Sequence, residues 1–264
     1  MNSRVAIAGM GLVTALGAGV EANWSAVRSG RCGLTPLEGF SSTRYLADVA
    51  GRVPEDVVSS AAGELRSSEK SRALALAAAA AREALAGLPR ETARDAILVL
   101  STTKGDIASL ETAVIDGDAD TARRALPWQL ARALAAELGL GESVAVSNAC
   151  ASGLVAVWHA ARLLHGGRFR AAVVVGVDIV SHFVLAGFSS LAALSKGPCR
   201  PYDAARDGLS LGEGAGALVL VRPDSGAPAR AWVTGLGVTN DANHITEPLR
   251  SGRGLIAAVK APLE

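Results

Sequence analysis

The sequence predicts an α/β protein built on a mixed sheet. Short runs rich in β-branched residues alternate with longer alanine- and leucine-rich segments, the pattern expected when parallel strands are buried on both faces by crossover helices. Half of the 264 residues belong to the hydrophobic class and 19% are charged, with 26 basic residues against 25 acidic ones. A disordered chain needs low hydrophobicity and high net charge, so that class is excluded. A chain of this length also buries most of its apolar surface without disulfide or metal staples.

The predicted strands are 4–9, 96–101, 143–148, 171–177, 216–222 and 229–238, and the predicted helices are 21–29, 71–87, 120–137 and 151–166. Only the turn DSGAP separates the last two strands, which predicts an antiparallel hairpin at the sheet edge. Residues 35–68 show weak periodicity and little apolar content and read as a surface excursion. From Asn240 onward the pattern thins, and GRGLIAAVKAPLE opens an amphipathic helix that Pro262 would stop.

The near-neutral charge gives no electrostatic footprint for nucleic acid. Cys32, Cys150 and Cys199 are an odd number at wide spacings, which suits neither a disulfide framework nor a metal site, so a reducing, cytoplasmic setting is expected. The longest apolar run, Ala73 to Ala81, is far shorter than the ~18 residues of a membrane span. Gly9-Met10-Gly11 follows a strand as in a dinucleotide fingerprint, but Thr14 takes the place of the third glycine, and a tight turn suffices.

Residues 143–167, SVAVSNACASGLVAVWHAARLLHGG, carry the strongest chemical signal. A strand ends near Ser147, a turn of small residues follows, and Cys150 sits where the next helix begins, as in a nucleophile elbow. The helix dipole favours a thiolate at that place, and Ala149, Ala151, Ser152 and Gly153 leave room for a substrate. By position alone Cys150 reads either as that nucleophile or as a buried structural cysteine, since free Cys is among the most buried residue types. Cys32 and Cys199 lack this context and read as structural. Arg200, Asp203, Arg206 and Asp207 alternate in sign and predict an ion-pair network, and Glu213 predicts an internal salt bridge.

SNACASG at 147–153 and CRPYDAARDGLSLGEGAGALVLVR at 199–222 resemble the β-ketoacyl-[acyl-carrier-protein] synthases, condensing enzymes of the thiolase fold. RVAIAGMGLVTALG at 4–17, STTKGD at 101–106 and NDANHITEP at 240–248 match in the same order. The resemblance implies a thiolase-like, mainly parallel mixed sheet with helices on both faces, the N-terminal half of an αβαβα architecture. It implies a ketosynthase N-terminal domain over 1–238, with 239–264 beginning a C-terminal half that the sequence does not complete. It assigns Cys150 the acyl thioester of fatty acid or polyketide biosynthesis, and places His244 and Thr246 near the substrate entrance.

The same resemblance implies no bound cofactor or metal, with acyl groups delivered on acyl carrier protein phosphopantetheine or coenzyme A. It implies a homodimer, or a heterodimer with a ketosynthase subunit, and no nucleic-acid or membrane partner. The family's two condensation histidines, in A-H-G-T and G-H-x-x-G-A motifs, have no counterpart here. His159 lies ~13 Å along the helix from Cys150 at 1.5 Å per residue, His165 suits the helix C-terminal dipole, and His182 reads as a loop residue. Three functions follow as expectations: a ketosynthase half completed by a second polypeptide, an acyl-accepting transferase without condensation, and a non-catalytic partner subunit of the chain-length-factor kind.

Overall fold

The computed structural model describes residues 4–40, 45–68, 70–89, 91–92, 95–244 and 247–261. The chain runs β1 (Val5–Thr14), β2 (Gly17–Ala18), α1 (Val20–Arg28), β3 (Thr35–Pro36), β4 (Val49–Ala50), α2 (Glu55–Gly63) and α3 (Arg72–Leu85). It continues through β5 (Ala96–Ser101), α4 (Ile107–Asp116), α5 (Ala119–Arg124), α6 (Pro127–Leu138), β6 (Glu142–Val146), α7 (Ser152–His165) and β7 (Ala171–Asp178). The last elements are α8 (His182–Ser190), β8 (Gly214–Val221), β9 (Ala231–Val233) and α9 (Arg253–Lys260).

The main sheet has the order β2-β1-β8-β7-β5-β6, with β9 also on β1. β5 pairs in parallel with both β6 and β7, while β8 runs antiparallel between β7 and β1. β1, β5, β6 and β7 therefore share one direction. Strand alternation sends side chains to two cores. Leu98, Leu100, Val173, Val175, Ala217 and Val219 face α3 and α6, whereas Ile97, Val99, Ala172, Val174 and Leu220 face α7 through Ala156, Ala160 and Leu164. Helices thus cover both faces, as the sequence predicts.

α3 forms because eleven of its fourteen residues, Arg72–Leu85, are alanine or leucine in a run without glycine or proline, and the Ser71 hydroxyl caps it by accepting from the Leu74 N–H. It lies against β1 at backbone contact. A methyl group on Gly9 or Gly11 would stand 1.8 Å from the Ala84 carbonyl oxygen or 1.9 Å from that of Ala80. Those glycines sit inside a ten-residue strand, so they serve close helix packing and not the tight turn read from the sequence.

Four other expectations change. β8 and β9 form no hairpin: both edges of β8 are taken by β1 and β7, so the chain crosses and pairs Val233 with Val5 and Ala231 with Ile7. Residues 35–68 are no bare surface excursion, because Ala47, Ala50, Val53, Val58, Ala61 and Leu65 are buried. The helix expected over 120–137 is two, α5 and α6, with Pro127 opening the second where its missing N–H costs nothing. His182 is the first residue of α8 and not a loop residue, and α4 was not foreseen. The amphipathic helix expected near the end is α9.

Candidate functional site

The parallel strands β5, β6 and β7 end at one edge of the sheet, the edge where open α/β sheets place their sites. β6 stops at Val146, and Ser147 to Ala151 turn the chain into α7. Within that turn Ala149 has φ 46°, a left-handed conformation uncommon for a residue with a Cβ. The turn is pinned by Ser152, whose hydroxyl accepts from the Asn148 N–H at 2.7 Å and donates to the Ala149 carbonyl at 2.6 Å. The Ala151 and Ser152 N–H groups bond back to the carbonyls of Asn148 and Ala149. Strain of this kind persists only where neighbours over-determine it, and here it falls on the residue just before Cys150.

Cys150 is exposed, which removes the buried structural reading of this cysteine. Cys32 is exposed as well and fills no core position, contrary to expectation, while Cys199 is half-buried. His159 is half-buried on α7, and His165 closes that helix beside Arg162. His244 is exposed, with its Nδ1 accepting from the Glu247 N–H at 3.2 Å. Thr246 lies outside the described residues.

The strand ends beside Cys150 carry a cluster that sequence reasoning did not single out. Asp178, the last residue of β7, accepts from the Thr103 hydroxyl at 2.7 Å, the Thr103 N–H at 3.1 Å and the Thr102 hydroxyl at 3.3 Å. Lys104 donates to the Thr103 hydroxyl and lies 3.9 Å from Asp178. The Ser147 hydroxyl in turn donates to the Thr103 carbonyl at 3.3 Å. The available signal was an acid at the end of the β-branched run AAVVVGVD, aligned with a threonine pair at the end of the neighbouring strand.

Lys104 also lines an apolar cavity of about 850 Å³ between α4 and α8, walled by Ile107, Leu110, Val114, Ile115, Phe183 and Ala186. Tyr45, Glu111 and His182 complete its lining. The Tyr45 hydroxyl meets His182 Nδ1 at 2.7 Å, and Glu111 accepts from the Phe183 N–H at 2.5 Å. Two helices absent from the sequence reading therefore build this apolar lining.

The predicted ion-pair network at 200–207 is partial. Arg200 pairs with Asp207 at 3.6 Å, and Asp207 also accepts from the Ser195 hydroxyl at 2.8 Å. That hydroxyl, followed by Arg200, holds the Asp207 carboxyl below its ordinary value. Arg206 and Asp203 bond to backbone instead. Glu213 does form the internal salt bridge: it accepts from Arg72 Nε at 3.0 Å and from the N–H groups of Val53 and Val180. Burial would lower the Arg72 pKa, but its bonds to Glu213 and Glu55 more than reverse this and raise it. Among the described residues, no group of three His, Cys, Asp or Glu side chains is placed to hold a metal ion, and no helix is long and apolar enough to cross a membrane.

Residues 2–225 match the family described as beta-ketoacyl synthase, N-terminal domain. The chain belongs to the beta-ketoacyl synthase family. It is 30% identical to 3-oxoacyl-[acyl-carrier-protein] synthase 2 of Vibrio cholerae, over 98% of this chain and 69% of that protein. Its fold is similar to the solved ishigamide ketosynthase/chain length factor, with TM-score 0.87 and 30% identity over 99% of this chain and 70% of that one. A beta-ketoacyl synthase from Burkholderia phymatum follows with TM-score 0.79 and 27% identity, over 98% of this chain and 70% of its own. The thiolase-like ketosynthase fold and the N-terminal position of this chain within it are thereby established, and the family is one of fatty acid and polyketide synthesis.

Proposed function

We propose that this chain accepts an acyl group as a thioester on Cys150 during fatty acid or polyketide biosynthesis. The observation that carries the reading is the exposed Cys150 thiol on a pinned turn at the carboxyl edge of the sheet. The apolar cavity between α4 and α8, tied to that turn through Lys104, Thr103 and Ser147, supplies a wall for an aliphatic chain. In the transfer, Cys150 Sγ adds to the carbonyl carbon of an acyl-pantetheine thioester. The carbon–sulfur bond to pantetheine then breaks, and the pantetheine thiol leaves with the proton that Cys150 gave up. The donor is acyl carrier protein or coenzyme A, in keeping with the carrier protein in the name of the Vibrio cholerae relative.

Condensation asks for donors aimed at the enolate formed when a malonyl group loses carbon dioxide. The two histidine motifs that serve this in the family do not occur in these 264 residues, so in this reading the carbon–carbon bond depends on groups supplied from outside them. A partner subunit fits the open surfaces. β6 ends the sheet order with one edge unpaired among the described strands, and Leu154, Leu255, Ile256 and Val259 are exposed on α7 and α9. His244 and Thr246 are assigned to the approach of the substrate.

Intact-mass spectrometry after incubation with acyl carrier protein thioesters tests the proposal. An acyl adduct on the wild type that Cys150→Ala abolishes is expected, and a wild type that never gains the adduct overturns it. The same experiment with a malonyl donor and a candidate partner separates acylation from condensation. A second reading, a non-catalytic partner subunit, is favoured by the similarity to the ketosynthase/chain length factor. It predicts co-purification with a full-length synthase that stays fully active when this chain carries Cys150→Ala.

A further inference from the structure

We infer that Asp178 is the positioning residue for the Cys150 turn, acting through Thr103 and Ser147. The inference rests on the acylation reading for its consequence but on separate geometry for its cause. The ladder between β5 and β6 ends at Ser101 and Val146. Past that point two bonds hold the turn to β5: the Thr102 N–H to the Val146 carbonyl at 3.3 Å, and the Ser147 hydroxyl to the Thr103 carbonyl at 3.3 Å. Both depend on where Thr102 and Thr103 sit.

These two threonines have left the strand ladder, and the Asp178 carboxylate replaces it. One oxygen, Oδ1, takes the Thr103 N–H and both hydroxyls. The Thr102 hydroxyl also accepts from the Gly105 N–H at 3.1 Å, which stiffens the same corner. Removing the carboxylate strips the acceptor from three donors at once and frees the peptide whose carbonyl receives Ser147. A displacement of about 1 Å in a reacting group costs on the order of a hundredfold when reaction geometry matters. A reagent that needs only an accessible thiol is indifferent to such a shift.

The test compares wild type with Asp178→Ala by three readouts: transfer from decanoyl-coenzyme A to Cys150, iodoacetamide alkylation of Cys150 followed by peptide mass, and amide hydrogen exchange. Asp178→Ala is expected to slow acyl transfer about tenfold, leave alkylation within about twofold, and speed exchange only at residues 102–105, where the Thr103 N–H loses its acceptor, and over 147–152. Asp178→Asn, which keeps an acceptor oxygen in place, restores most of the transfer rate. Unchanged transfer and exchange overturn the inference. So does a loss spread evenly over β5, β7 and β8, which marks a general structural role. If Asp178→Ala does not fold, Thr103→Val removes one of the three bonds and is expected to give the same confined exchange. If the wild type takes no acyl group, the acylation reading falls, and exchange over 147–152 alone decides whether Asp178 holds the turn.

Discussion

Arg72 at the start of α3 and Glu213 just before β8 meet in an enclosed ion pair, with the Glu213 side chain fully buried and that of Arg72 only 16% exposed. The pair joins elements 141 residues apart, and Arg72 extends it to Glu55 and to the Val53 carbonyl. Removing one member of a buried pair leaves the other charged and unpaired, at a cost of about 3–5 kcal/mol. Arg72→Met should therefore destabilise the fold by about that amount, read as a fall in the urea midpoint. Because the folded-state pKa of Arg72 is raised, its contribution is present throughout the neutral range and is lost only as pH rises through that raised value. A flat stability profile for this pair between pH 6 and 9 is expected.

Gly11→Ala places a methyl group 1.9 Å from the Ala80 carbonyl oxygen and 2.9 Å from the Ala84 nitrogen. Both are backbone atoms of a helix, so relief requires α3 to lift from β1. Overpacking of this kind costs about 1–3 kcal/mol and occasionally more, and the rigid neighbour puts Gly11→Ala at the upper end. Thermal unfolding followed by circular dichroism should show it, with Gly9→Ala behaving alike.

Cys150→Ala should leave stability within about 0.5 kcal/mol, since the exposed side chain fills no core space. Equal urea midpoints with the acyl adduct gone would separate a chemical role from a structural one.

Ala186→Phe narrows the cavity between α4 and α8 from its α8 wall. Transfer of a decanoyl group to Cys150 should slow by about tenfold or more, while transfer of an acetyl group stays near the wild-type rate. Equal effects on both chain lengths would sever the cavity from the acyl chain.

Asp207 sits below the ordinary carboxylate value of 3.8, held chiefly by the Ser195 hydroxyl. Its stabilising contribution is present above that ordinary value and is lost as pH falls through the depressed one. Carbon-detected NMR titration should give Asp207 an acid-shifted midpoint that moves back toward the ordinary value in Ser195→Ala, with Arg200 still holding part of the shift.

The central strands and α3 were legible in the sequence because burial on both faces leaves continuous β-branched or alanine-rich runs. AILVLS marks a strand with every residue buried, and SNACASG fixed the place of Cys150. The partners of β9 were not legible, since a short turn favours a hairpin and nothing local reveals that β8 already has two neighbours. α4 and α8 were missed for another reason. IASLETAVID and HFVLAGFSS each leave large apolar residues facing solvent, Val114, Ile115 and Phe183 among them, so neither shows a simple two-sided pattern. Asp178 was passed over because its role depends on Thr103, 75 residues away.

β1 occupies residues 5–14, yet its long ladder partner, β8, begins at residue 214. On a ribosome adding ~5–20 residues per second, the first strand waits roughly 10–40 s for the strand that completes it. During that interval α3 lacks the part of its floor that β8 supplies through Ala215, Ala217 and Val219, and β7 shows an open edge. Closure of the sheet is thus a late event of high contact order, which slows folding. Nascent chains shorter than about 220 residues should be the species that engage chaperones.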